Sequence, residues 1–181
     1  MKNTLLFFWE IIKIVLLALV IVVPIRYLVF QPFFVKGESM VPSFENGDYL
    51  IIDEISYRLG VPERGEVIVF KYPNDPSQRY IKRIIGLPGE AVKIENGKVD
   101  ILNDKGENIL NEESYLPGST VTAGDINVVL GQDEYFVLGD NRAASSDSRS
   151  WGVLNKKYII GKVALRAWPF SVFAKMEAPS Y

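Results

Sequence analysis

The chain has 181 residues, 48% of them hydrophobic, with 20 basic against 22 acidic side chains and a formal charge of −2. That length suits one domain with a real core, and the charge gives no support for a nucleic-acid-binding surface. There is no cysteine and no histidine, which excludes disulfides, a thiolate nucleophile, a zinc ribbon and any Ser-His-Asp triad. A hydrolase of this composition must take its base from Lys, Asp or Glu.

The first element is an apolar run, "TLLFFWEIIKIVLLALVIVVPI" from Thr4 to Ile25, broken only by Glu10 and Lys13. A spanning helix needs about 20 mostly apolar residues, so residues 1–27 are expected to form a membrane anchor helix. Glu10 and Lys13 are three apart and share a helix face, where they can pair. A cleaved signal peptide also has an apolar core, of roughly 7–15 residues. No small-x-small cleavage site follows here, only the bulky "RYLVFQPFFV", and a retained anchor is expected. Lys2 precedes the run while Arg26 and Lys36 follow it, so charge alone does not orient it.

Strands and turns follow. "DYLIIDEI" and "EVIVFKY" are β-branched runs, with "VPERG" as turn residues before the second. "AVKIENGKVDIL" alternates apolar residues about Asn96-Gly97, a pair suited to a type I′ hairpin turn. "EYFVLGD" and "IIGKVALRAW" read as further strands. No amphipathic helix separates these runs, so a parallel α/β sheet is not expected. The fold class is mainly β: an N-terminal helix, then an antiparallel β domain over residues 28–181, with a β-hairpin insertion at about 91–131.

Three stretches can carry chemistry. Ser39 lies in "FFVKGESMVP", directly after the apolar run. A serine in a turn is ordinarily structural, and the G-x-S-x-G elbow that "GESMV" resembles needs a last glycine and a histidine that this chain lacks. Lys82 lies in "RYIKRIIGLPGE". In a strand it shares a face with Tyr80 and Ile84, while Ile81, Arg83 and Ile85 face the other way. Most lysines snorkel to water, but a buried one loses its charge and can take a proton from a serine. The third stretch, "GDNRAASSDSR" at 139–149, reads either as a surface loop tied by its own turns or as support for a site.

In order and spacing, the anchor, "GESMVPSFENGDYLIIDEISY", "RGEVIVF", "YIKRIIGLPGE", "GDNRAASSDSR" and "RAWPF" resemble the type I signal peptidase (leader peptidase) family of membrane-anchored Ser/Lys endopeptidases. The match runs along nearly the whole chain. The resemblance implies that Ser39 is the nucleophile of an S-M-x-P motif, and that Lys82, 43 positions on, is the general base. It implies that Ser145 orients the lysine, that Asp147 and Arg149 form a structural ion pair, and that Asp140 meets Arg83. Some members carry a serine two positions before the nucleophile as an oxyanion donor; here that position is Gly37.

The resemblance further implies a coiled antiparallel β fold in the cell membrane, single-pass, with the catalytic domain on the extracytoplasmic side. Its partners are signal-peptide-bearing preproteins and the lipid bilayer, with no cofactor and no nucleic acid. Cleavage follows small residues at the first and third positions before the cut. By position, Phe33, Val35, Met40, Phe44, Tyr80 and Ile81 are expected to wall the first pocket. An extended substrate adds as a strand beside 32–39 and 79–82. Trp168, Pro169 and Phe170 suit a lipid interface or a core equally. The alternatives are a self-cleaving Ser/Lys repressor, which needs a DNA-binding module absent here, and a catalytically silent, membrane-tethered β binding module. The β-lactamase and penicillin-binding class fails for want of S-x-x-K and K-T-G.

Overall fold

The computed structural model describes residues 2–28, 30–103, 106–170, 174–176 and 178–179, and within the N-terminal helix the side chains of residues 6–20. That helix, α1, runs Lys2–Leu28. Its side chains from Leu6 to Val20 are exposed, and Lys13 Nζ reaches Glu10 Oε1 at 2.7 Å, the pairing expected from their spacing. Among the described residues no helix is long and apolar enough to cross a membrane.

The remaining elements in chain order are β1 (Phe30–Phe34), β2 (Tyr49–Asp53), α2 (Ser56–Leu59), β3 (Val67–Tyr72), β4 (Asp75–Gly86), β5 (Ala91–Glu95) and β6 (Lys98–Asn103). They continue with β7 (Gly106–Ile109), β8 (Ile126–Val129), β9 (Glu134–Leu138), α3 (Ser148–Trp151), β10 (Leu154–Asn155), β11 (Ile159–Trp168) and β12 (Ala174–Lys175). The larger sheet has the order β1-β2-β11-β3-β4-β9-β10, with β12 beside β11; the smaller is β7-β6-β5-β8. The strand pairs are antiparallel, as the lack of crossover helices requires.

The local reasons are plain. β5 and β6 pair Glu95 with Lys98 across a two-residue turn, and Asn96 and Gly97 have φ of 53° and 80°, the signs a type I′ turn demands. β3 is apolar on both faces because both are covered: Val67 and Val69 join one core with Leu50, Ile52 and Val163, and Ile68 and Phe70 join another with Ile84 and Val137. A third core of Ile85, Phe136 and Leu138 with Val92, Ile94, Val99 and Ile101 ties the small sheet to the large one.

One feature of the pairing positions the site. β9 takes the second edge of β4 only from Arg83 onward, while β3 holds the first edge along its length. Among the described residues, the β4 edge before Arg83 and the outer edge of β1 therefore carry no partner strand.

Candidate active site

Ser39 sits between β1 and β2 on a tight turn, where Val41 N–H donates to the Glu38 carbonyl at 3.2 Å and Phe44 N–H to the Met40 carbonyl at 2.9 Å. The turn is fixed from below by Met40 and Phe44, which are buried in the core. It is fixed from the side by Asn141, whose backbone N–H donates to the Ser39 carbonyl at 3.0 Å and whose Nδ2 donates to the Glu38 carbonyl at 3.1 Å. Apolar anchors and a polar clamp together hold the serine still.

Lys82 comes from the middle of β4 and is only 3% exposed. Its Nζ lies 2.7 Å from Ser39 Oγ and donates to the Ile81 carbonyl at 2.9 Å. Burial pulls its pKa down from 10.5 to about 8, against the charges of Asp147 and Asp140, which act to raise it. Two side chains 43 residues apart thus meet because a strand centre and a turn are packed on one core.

The 139–149 loop closes the back of the site. Asp140 takes both Nε and a terminal nitrogen of Arg83, at 2.9 and 2.6 Å, and the pair is buried. Asp147 pairs with Arg149 at 2.8 Å and accepts from Gly139 N–H at 3.1 Å. Burial acts to raise the Asp147 pKa, but Arg149 and the Gly139 N–H outweigh it and hold the carboxyl ionised. A Cβ on Gly139 would overlap the Ser145 hydroxyl and stand 2.5 Å from the Ser39 carbonyl oxygen. Only glycine allows the loop to come this close.

The remaining expected residues are placed as follows. The Ser145 Oγ is buried without a hydrogen-bond partner of adequate geometry among the described residues, and the lysine amine is held by Ser39 and the Ile81 carbonyl. Ser145 also bears weakly on the Asp147 carboxyl, without a hydrogen bond of adequate geometry. Of the expected pocket wall, Phe33, Tyr80 and Ile81 do line the cavity of about 640 Å³ beside Ser39 and Lys82. Val35, Met40 and Phe44 do not; they are packed into the core behind it. Val35 shares the face of Phe33 but lies just past β1, where its N–H donates to the Asp48 carbonyl at 3.0 Å and its side chain sits deeper in the core, and the turn that presents Ser39 buries its neighbour Met40.

Phe34, Lys36 and Arg79, from the stretches expected to lie beside the substrate, also line the cavity, as do Gln78 and Ser146, which the sequence does not single out. Arg142 is buried, donates to the Gly139 carbonyl at 3.0 Å and pairs at 2.5 Å with Glu112 from the small-sheet segment. The signal for Arg142 and Asn141 was their place in "GDNR", next to Asp140. Gly37 has φ of 90°, and its N–H donates to Asn46 Oδ1 at 3.0 Å. The Ser39 N–H, by contrast, makes no hydrogen bond among the described residues.

A mainly β domain in which a serine hydroxyl meets a buried lysine amine at a strand edge is the class this site defines, a histidine-free hydrolase. The signal peptidase, peptidase S26, family profile matches residues 8–168, and the chain belongs to that family. It is 36% identical over 182 residues to a probable signal peptidase I-1 of Synechocystis sp., across 93% of this chain and 88% of that protein. It is 35% identical over 168 residues to signal peptidase IB of Staphylococcus aureus, across 86% and 87%. A crystal structure of a signal peptidase I from Enterococcus faecalis aligns with 30% identity and a TM-score of 0.46, covering 56% of this chain and 96% of that one. The chain is a serine endopeptidase that cleaves signal peptides, and preproteins are its substrates.

Proposed function

We propose that Ser39 is the nucleophile and Lys82 the general base of signal-peptide cleavage. The observation that carries this is the 2.7 Å approach of Lys82 Nζ to Ser39 Oγ, with the lysine buried and its pKa near 8. As the neutral amine, Lys82 keeps its N–H on the Ile81 carbonyl and turns its lone pair to the Ser39 hydroxyl. Ser39 Oγ attacks the substrate carbonyl as its proton passes to Nζ, giving a tetrahedral oxyanion. The Ser39 N–H, free of other acceptors, faces that charge. Collapse expels the new N-terminus of the mature protein, which takes the proton from Nζ and leaves an ester on Ser39. Water then attacks the ester, with Lys82 again as base, and the signal peptide leaves with a free carboxylate.

The substrate lies extended in the cavity, between the open edges of β1 and β4, so that main-chain bonds hold it and alternate side chains enter the wall. Phe33, Tyr80 and Ile81 make that wall bulky, in keeping with small residues at the first and third positions before the cut. Residues 1–27 form the membrane anchor and 28–181 the extracytoplasmic catalytic domain. The apolar side chains of α1, uncovered from Leu6 to Val20, support this. So does an exposed aromatic patch: Phe34 against Tyr49 at 4.7 Å and Trp168 against Phe170 at 4.8 Å, joined by the pairing of Tyr49 with both strands. Aromatic side chains favour the membrane interface.

The test is cleavage of a preprotein in detergent by the full chain and by Ser39→Ala. A loss of about four orders of magnitude with unchanged circular dichroism is expected. Undiminished cleavage by Ser39→Ala would remove the serine from the mechanism.

A further inference from the structure

A second cavity, of about 420 Å³, lies away from the catalytic pair. Four cations border it, Arg58, Lys71, Arg79 and Lys157, together with Gln31 and a single carboxylate, Glu54. Its volume lies within the range of small-molecule sites, about 300–1,000 Å³. Among the described residues no carboxylate stands within ion-pairing distance of Lys71, Arg79 or Lys157, and Arg58 approaches Glu54 only to 3.8 Å. Like charges gathered around one concavity repel each other and concentrate counter-ions there.

Two further observations narrow the ligand. Glu54 lines the cavity with its side chain 13% exposed, so the cavity offers a carboxylate acceptor as well as positive charge. Gln31 follows the last residue of α1, Leu28, by three positions, a span of at most about 10 Å. The headgroup layers add about 5–8 Å to each side of a bilayer core. If α1 is the anchor, the cavity opens at headgroup depth.

We propose that this cavity binds the headgroup of an anionic glycerophospholipid, its phosphate among Lys71, Arg79 and Lys157 and a headgroup hydroxyl donating to Glu54. The excess of cations over the one carboxylate favours a net negative headgroup, phosphoglycerol, over a zwitterionic one. Arg79 also lines the catalytic cavity, so a lipid held here sets the substrate groove against the bilayer surface. The proposal rests on the anchor reading of α1.

The experiment uses the full chain in neutral detergent with phosphatidylglycerol, phosphatidylmethanol (an anion without the hydroxyls) or phosphatidylcholine, and native mass spectrometry counts the retained lipid. Phosphatidylglycerol is expected to be retained over both others. Lys71→Gln with Lys157→Gln lowers that retention at least about tenfold, since each cation near an anionic surface is worth about fivefold. The double variant still cleaves a soluble signal-peptide substrate normally, which shows that it folds. Glu54→Ala removes the preference for phosphatidylglycerol over phosphatidylmethanol. Equal retention of phosphatidylglycerol and phosphatidylcholine, or retention untouched by the double variant, overturns the headgroup site. Displacement by inorganic phosphate at equal concentration overturns the lipid as its source. Failure of the unmodified chain to float with vesicles of any of these lipids sinks the anchor reading, and the headgroup site with it.

Discussion

Arg83 grips Asp140 with two nitrogens, at 2.9 and 2.6 Å, one residue along β4 from Lys82. The guanidinium also donates to the Gly65 carbonyl at 2.8 Å and lies over the Tyr115 ring at 4.0 Å. The ion pair therefore joins the strand that carries the lysine to the loop that clamps the serine. Removing one partner of a buried pair leaves the other charge uncompensated, at about 3–5 kcal/mol. Asp140→Asn is expected to lose that much stability by denaturant titration. Because the Asp140 charge acts to raise the Lys82 pKa, the surviving activity should also reach its midpoint at lower pH. An unchanged midpoint would mean that Asp140 acts only structurally.

Gly139→Ala tests the closeness of that loop. The added methyl would collide with Ser145 and the Ser39 carbonyl, and neither the loop nor the serine turn can retreat without breaking the Asn141 clamp. Overpacking of this kind costs about 1–3 kcal/mol, and displacement of the nucleophile by about 1 Å can cost on the order of a hundredfold in rate. Cleavage should fall by more than the stability loss explains. Wild-type kcat from Gly139→Ala would show that the loop is not held against the serine.

Specificity divides the expected pocket residues. Phe33 lines the cavity, so the unmodified chain should process a preprotein with Leu before the cut roughly five- to a hundredfold less well than one with Ala, and Phe33→Ala should admit it. Val35 is buried in the core, so Val35→Ala should cost stability, about 1–3 kcal/mol, and leave specificity unchanged. Equal processing of Ala and Leu substrates by the unmodified chain would show that no small-residue pocket exists.

Much of this was legible in the sequence because the chemistry is local. The turn at Asn96-Gly97, the apolar run of β3 and the alternation that sets Lys82 beside Tyr80 all follow from neighbours within a few residues. The absence of histidine and cysteine narrowed the possible bases before any fold was known. What sequence order does not carry is which long-range neighbour a side chain meets. Ser145 is next to the right residues, yet its hydroxyl makes no hydrogen bond of adequate geometry, while Gly139 matters through a close backbone approach and Asn141 through the reach of its N–H and side-chain amide to the distant serine turn. Val35, Met40 and Phe44 lie near Ser39 in the sequence, but their side chains pack into the core rather than along the cavity, a choice that long-range partners make.

Burying Lys82 should weaken the fold. The Lys82 pKa is lower in the folded chain than in the unfolded one, so the unfolded state binds more protons between about pH 8 and 10.5. The cost is fully present below about 8 and fades as pH rises toward 10.5. Lys82→Met fills nearly the same volume without the charge, and at neutral pH it should raise stability by about 1–3 kcal/mol while abolishing cleavage. A destabilised Lys82→Met would show that the Nζ hydrogen bonds outweigh the desolvation.

The central claim is that a neutral Lys82 takes the proton of Ser39, and the pH dependence of kcat/KM for signal-peptide cleavage tests it most directly. The lysine must be deprotonated to act, so the rate should rise with pH as a single titration, with its midpoint near 8. Below the midpoint it should fall about tenfold per pH unit. A profile that stays flat from mildly acidic to alkaline pH in the folded enzyme would contradict a lysine base.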